Sequence, residues 1–119
     1  MKRILVVDDS SSMRRIIARA AQLFGDLEVD EAQNSAQAIK MYEPGKYCLI
    51  LTDRNMGGKT GVSLIKEIRQ EEPDVPIIMI TADSHRSQVV EAIEAGVSDY
   101  LSKPFTADML QEKLEKWLG

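Results

Sequence analysis

The sequence predicts an α/β fold: one doubly wound, five-stranded parallel sheet of the flavodoxin-like (βα)5 kind. Three observations carry this. Five short apolar runs alternate with segments of helical periodicity. The runs are mostly continuous rather than alternating in polarity, as expected of strands covered on both faces. The connections between them are short, so each strand is followed at once by the helix that crosses back over the sheet.

The elements follow in order. Ile4–Val7 is the first run and ends at Asp8-Asp9. Met13, Ile16, Ile17, Ala20 and Phe24 then repeat at helical spacing, with Ser10-Ser11-Ser12 offering N-caps. Leu27–Ala32 is a second, weaker run; Glu28, Asp30 and Glu31 make it an edge strand. Ala36, Ile39 and Tyr42 mark a second helix, ended by Pro44-Gly45. Cys48–Thr52 is the third run and stops at Asp53. Val62, Ile65 and Ile68 mark a third helix, closed before Pro73. Ile77–Thr81 is the fourth run. Val89, Val90 and Ile93 follow on a fourth helix, closed by Gly96. Val97–Leu101 is the fifth run, and Leu110, Leu114, Trp117 and Leu118 line the last helix.

The 119 residues fit one domain spanning 1–119, long enough to bury a core without staples. No linker, repeat or low-complexity tract interrupts it. A net charge of −4, with both signs mixed, argues against direct nucleic-acid binding, which needs a dense basic face. The single Cys48 permits no internal disulfide and reads as a structural thiol in a strand. Lys2-Arg3 and four apolar residues resemble a signal start, but Asp8-Asp9 breaks the run. No stretch is long enough for membrane insertion. A cytoplasmic protein is expected.

In sheets of this kind ligands bind beyond the carboxyl ends of the strands, where the winding reverses. With strand order 2-1-3-4-5 that point lies between strands one and three, so Asp8, Asp9 and Asp53 meet there. A lone strand-end aspartate is usually a solvated loop residue. Three that converge repel one another and call for a cation. An oxygen-only donor set suits Mg2+, and the absence of an accompanying His or Cys disfavours zinc and copper. Thr81 ends the fourth run and Lys103 follows the fifth. A hydroxyl and an ammonium beside a cation-loaded carboxylate can hold a phosphoryl group while a carboxylate attacks it.

Asp8-Asp9, Asp53, Thr81 and Lys103-Pro104-Phe105 resemble the signature of the receiver domain of two-component response regulators, across essentially the whole chain. Ser12-Met13-Arg14-Arg15-Ile16, Asn55-Met56 and Phe105-Thr106-Ala107 resemble the stand-alone chemotaxis type. The strand order 2-1-3-4-5 is that type's own. The resemblance implies a phosphoacceptor signalling protein rather than a conventional enzyme, catalysing only its own phosphotransfer and slow self-dephosphorylation. Asp53 takes phosphate from a histidine kinase. Asp9 ligates Mg2+ directly, Asp8 through water, and the Asn55 backbone carbonyl and Asp53 complete the metal site. Lys103 contacts the phosphoryl oxygen. Thr81 swings toward the phosphate and Tyr100 turns inward behind it. The Lys103–Pro104 bond is expected to be cis. The output face is the fourth helix, fifth strand and fifth helix, with Val89, Val97, Tyr100 and Lys113 on it. It signals to a downstream protein target, a flagellar-motor switch among the candidates, with a phosphatase as a further partner.

Departures from the family pattern are informative. Met56-Gly57-Gly58 replaces the frequent Met-Pro and loosens the acceptor loop. Arg54 stands where an aromatic is frequent, and either pairs with an acid in the pocket or lies outward. Asn55 and Asp83 flank the path of an attacking water, which Asp83 would orient during dephosphorylation; Asp83 capping the next helix is the other reading. His85, the only histidine, faces solvent. A flavodoxin is disfavoured by the scarcity of aromatics and by acids where a phosphate would sit. A haloacid-dehalogenase-type phosphatase would need Asp-x-Asp after the first strand. A receiver within a larger regulator and a non-phosphorylated binding receiver are the remaining alternatives.

Overall fold

The computed structural model describes residues 2–55, 60–82 and 85–119. Five strands and five helices alternate: β1 (Lys2–Val7), α1 (Ser11–Phe24), β2 (Leu27–Ala32), α2 (Ser35–Met41), β3 (Leu49–Thr52), α3 (Gly61–Glu71), β4 (Ile77–Thr81), α4 (Arg86–Ala95), β5 (Asp99–Ser102) and α5 (Ala107–Leu118). All pairings are parallel and the order is β2-β1-β3-β4-β5. β2 is the edge its acidic residues require, and Arg3 on β1 pairs with Glu28 and Asp30 across it.

The alternation of side chains along each strand divides the core in two. Leu5, Val7, Ile50, Ile77 and Met79 face α2, α3 and α4, meeting Ala38, Val62, Ile65, Ile68 and Ala92. Ile4, Val6, Leu49, Leu51, Ile78 and Ile80 face α1 and α5, meeting Ile17, Ala21, Leu110 and Leu114. Burial on both sides is why the central strands read as unbroken apolar runs.

Four helices begin with a side-chain cap: Ser10, Asn34, Thr60 and Thr106 each accept from the backbone N–H three residues on. Several sequence expectations shift. β5 starts at Asp99 rather than Val97, because Val97 is used in ending α4. Gly96 takes φ 108° and the Val97 N–H bonds back to the Ala92 carbonyl, a Schellman-type stop. Ile16, Ala36, Val90 and Ile93 do not face the core. Ile16 is 53% exposed, and α2 buries Ser35 and Ala38 instead of Ala36. Periodicity located these helices but left their rotation undecided by one position. Cys48 lies just before β3, half-buried, with its thiol pushed up chiefly by burial.

Asp99 ties β5 to α5. Its carboxylate accepts from Lys113 Nζ at 2.8 Å and Trp117 Nε1 at 2.9 Å, and Lys116 lies 3.4 Å away. Burial raises its pKa, but the bonds from Lys113, Trp117 and the Tyr100 N–H outweigh this and hold it at about 2. A depressed carboxylate stabilises the fold above its unfolded pKa and loses that contribution as pH falls toward the folded value. Asp99→Asn is therefore expected to cost at most about 2 kcal/mol at pH 7. The difference from the parent should shrink between pH 4 and pH 2 in urea unfolding, and a pH-independent difference would contradict this account.

Candidate functional site

Asp8, Asp53, Thr81 and Lys103 sit at or just past the ends of their strands, and the sheet's own ladder holds them there. The Asp8 N–H bonds to Ala32 O at 3.1 Å, the Asp53 N–H to Val7 O at 2.9 Å and the Lys103 N–H to Thr81 O at 2.9 Å. In register Val7 pairs with Thr52 and Thr81 with Ser102. Parallel pairing thus brings Asp8, Asp53, Thr81 and Lys103 to one edge, at the reversal between β1 and β3.

Lys103 joins the acids. Its Nζ donates to Asp8 Oδ2 at 2.9 Å and to Asp53 Oδ2 at 3.3 Å. The other oxygens are held by backbone: Asp8 Oδ1 accepts from the Ser10 N–H at 2.9 Å, and Asp53 Oδ1 from the Arg54 N–H at 2.7 Å. Burial opposes the Lys103 charge, but the bond to Asp8 and the charges of Asp53 and Asp8 raise its pKa above the ordinary lysine value. Asp8 is 2% exposed, Asp53 half-buried and Asp9 exposed. One carboxylate oxygen from each of Asp8, Asp9 and Asp53 lies within 4.8 Å of the others.

Beside them is a cavity of about 270 Å3 lined by Asp53, Asn55, Thr81, Ala82 and Lys103. Thr81 is buried. Tyr100 is half-buried against the core on the α4 side. The Lys103–Pro104 peptide is cis, as the resemblance implies. His85 is exposed and N-caps α4 without a side-chain bond. Asp83 and the Met56-Gly57-Gly58 stretch lie outside the described residues.

Two supports escaped the sequence reading. Arg14, one turn into α1, donates to the Asp8 carbonyl at 2.6 Å and pairs with Glu31 at 3.1 Å, bracing the β1 terminus. Its only signal is its place four residues after the N-cap serine. Gly61 opens α3 pressed against the acceptor turn: its N–H bonds to Arg54 O at 2.8 Å, and a Cβ there would collide with the Asp53 carbonyl oxygen. Nothing local in the sequence marks that approach.

Residues 4–115 match the response regulator receiver domain family. The chain belongs to that family. It is 42% identical over 116 residues to the chemotaxis protein CheY of Pseudomonas aeruginosa, covering 96% of this chain and 94% of that one. It is 41% identical to the chemotaxis protein CheY1 of Helicobacter pylori (strain 26695), covering 98% and 97%. Among solved structures it resembles the response regulator TrrA of Thermotoga maritima, solved in complex with Mg2+-BeF, at TM-score 0.86 and 39% identity over 98% and 99% of the two chains. It also resembles a CheY-like receiver domain of Methanospirillum hungatei, at TM-score 0.90 and 26% identity over 98% and 92%. This is a CheY-like receiver domain. Similarity to chemotaxis proteins along nearly their whole length makes the domain chemotaxis-type. The flavodoxin and dehalogenase readings fall with the family match.

Lys103→Met is expected to cost the metal-free protein about 3 kcal/mol, the lower end for breaking a buried ion pair, because the ammonium keeps some exposure. Adding Asp53→Asn should restore part of this by removing one of the stranded charges. A raised lysine pKa stabilises fully below its unfolded value and is lost as pH rises through the folded one. The parent should therefore lose stability above about pH 10.4, the ordinary lysine pKa, in a way the methionine variant does not. Urea unfolding from pH 7 to 11 reads both effects. Equal stability of parent and variant at pH 7 contradicts the pairing.

Proposed function

We propose that residues 1–119 form one receiver domain that accepts a phosphoryl group on Asp53 in a Mg2+-dependent reaction and signals through α4, β5 and α5. The observation that carries this is the juxtaposition of three clustered carboxylates with a lysine, a buried threonine hydroxyl and a cavity. Receiver domains bind Mg2+ at an acidic site and work with histidine kinases and downstream targets. The donor set here fits such an ion: oxygen only, with Asp9 exposed to a hydrated cation. Asp9 would ligate the ion directly and Asp8 mainly through water, with Asp53 and the Asn55 backbone carbonyl completing the set. A bound divalent cation supplies neutralisation for the phosphoryl oxygens. The Mg2+-BeF complex of TrrA supports the reading.

The chain's own residues do the rest. An Asp53 carboxylate oxygen attacks phosphorus as the bond to the donor breaks. With a phosphohistidine donor that bond is P–N, and the imidazole leaves with the electron pair. Lys103 turns from the Asp53 carboxylate to a phosphoryl oxygen, keeping one charge contact throughout. Thr81 donates its hydroxyl to another oxygen, and Tyr100 follows inward. Water attack at phosphorus breaks the acyl P–O bond and returns the carboxylate and inorganic phosphate; this is the slow self-dephosphorylation, whose rate Asn55 and Asp83 tune. The kinase, a downstream protein target such as a flagellar-motor switch, and a phosphatase are the partners, in the cytoplasm. No helix among the described residues is long and apolar enough to cross a membrane.

Intact-mass measurement after incubation with acetyl phosphate tests the reading. One phosphoryl addition is expected with Mg2+, none without it, and none in Asp53→Asn; undiminished labelling of that variant would move the acceptor elsewhere. Mg2+ at ten times its Kd should raise the unfolding free energy by about 1.4 kcal/mol. The gain should be largely lost in Asp9→Asn, and an equal gain there would remove Asp9 from the metal site.

A further inference from the structure

Arg54 follows Asp53 directly and takes neither course open to it from the sequence. Its side chain is 10% exposed and reaches across to α4. One guanidinium nitrogen donates to the Gln88 carbonyl at 3.1 Å, and another lies 3.2 Å from Glu91 Oε1. Its backbone N–H meanwhile donates to Asp53 Oδ1. One residue therefore holds both the acceptor carboxylate and a helix of the output face.

α4 has few other anchors. Its buried residues are Ala92 and Ala95, while Val90 and Ile93 are 44% and 61% exposed. It alone among the five helices lacks a side-chain cap bond among the described residues. Two buried methyl groups hold a helix weakly, so the charge-assisted bond from Arg54 to the Gln88 carbonyl forms a large part of its attachment. The Glu91 pair, half open to water, adds less. Beside this contact, Gln88 Oε1 is buried with no hydrogen-bond partner among the described residues. An orphaned acceptor is costly, and a rearrangement of this turn that reaches a donor recovers that cost.

We propose that Arg54 is a positioning residue that clamps α4 in its resting place and couples that place to the state of Asp53. The coupling rests on Asp53 being the phosphoacceptor; the clamp does not. Phosphorylation adds negative charge beside Arg54 and turns the Asp53 carboxylate, whose Oδ1 accepts from the Arg54 N–H, into an acyl phosphate, a weaker acceptor for that N–H. The guanidinium is drawn toward the new charge at the expense of Gln88 and Glu91, and α4 is released. Because such coupling is reciprocal, loosening α4 also favours phosphorylation.

Hydrogen exchange of unphosphorylated Arg54→Met tests the clamp. Loss of one charge-assisted bond predicts about ten-fold faster exchange in α4, with β1 and β3 amides unchanged. Arg54→Lys should recover part of the protection. Glu91→Gln, altered at an exposed partner and safe for folding, should give a smaller rise of about two-fold. Wild-type α4 exchange in both Arg54→Met and Glu91→Gln, or an equal rise across all strands, overturns the clamp. Equilibrium binding of beryllofluoride with Mg2+, standing in for the phosphoryl group, tests the coupling: Glu91→Gln should bind it more tightly than the parent, and an unchanged affinity overturns it. Failure of the parent to label with acetyl phosphate overturns the acceptor reading and the coupling with it, whereas exchange decides the clamp alone.

Discussion

The contact on which the site depends is that of the Lys103 ammonium with the Asp8 and Asp53 carboxylates. Parallel register forces those acids to one edge of the sheet, and their mutual repulsion grows as water is excluded. Lysine from a third strand end offsets it. This arrangement is stable without being inert. Asp53 already faces a cation, and an arriving phosphoryl group meets a charge organised before it binds.

The same geometry explains the division of labour around the sheet. α1 brings Arg14 to the carbonyl behind Asp8, and α3 brings Gly61 against the carbonyl of Asp53. These are rigid supports, tied to buried strands. α4 differs, resting on alanines and on Arg54. A domain that must hold its chemistry still while moving an output face needs both kinds of attachment, and they lie on opposite sides of one residue pair, Asp53-Arg54.

On the far side of β5, Asp99 gathers Lys113, Lys116 and Trp117 of α5. Lys113, expected on the output face, is bound to β5 through this carboxylate. α5 is thereby fastened by charge and by the buried Leu110 and Leu114, where α4 buries only Ala92 and Ala95. The contrast singles out α4 as the element of that face with least to lose by shifting.

The sequence by itself determined the five alternating units and the edge position of β2, and, given the family's strand order, the gathering of Asp8, Asp9, Asp53, Thr81 and Lys103, because runs of apolar residues locate strand ends and the order of strands brings those ends together. It left helix rotation open, since Ile16 and Ile17, or Val89 and Val90, satisfy the same period. Only the tertiary structure decided that Val97 ends a helix rather than beginning a strand, that Gly61 must lack a side chain and that Arg54 grips α4. Each of these depends on a partner more than six residues away or on the handedness of one backbone turn. Local pattern carries no record of what a side chain will meet once the sheet has closed.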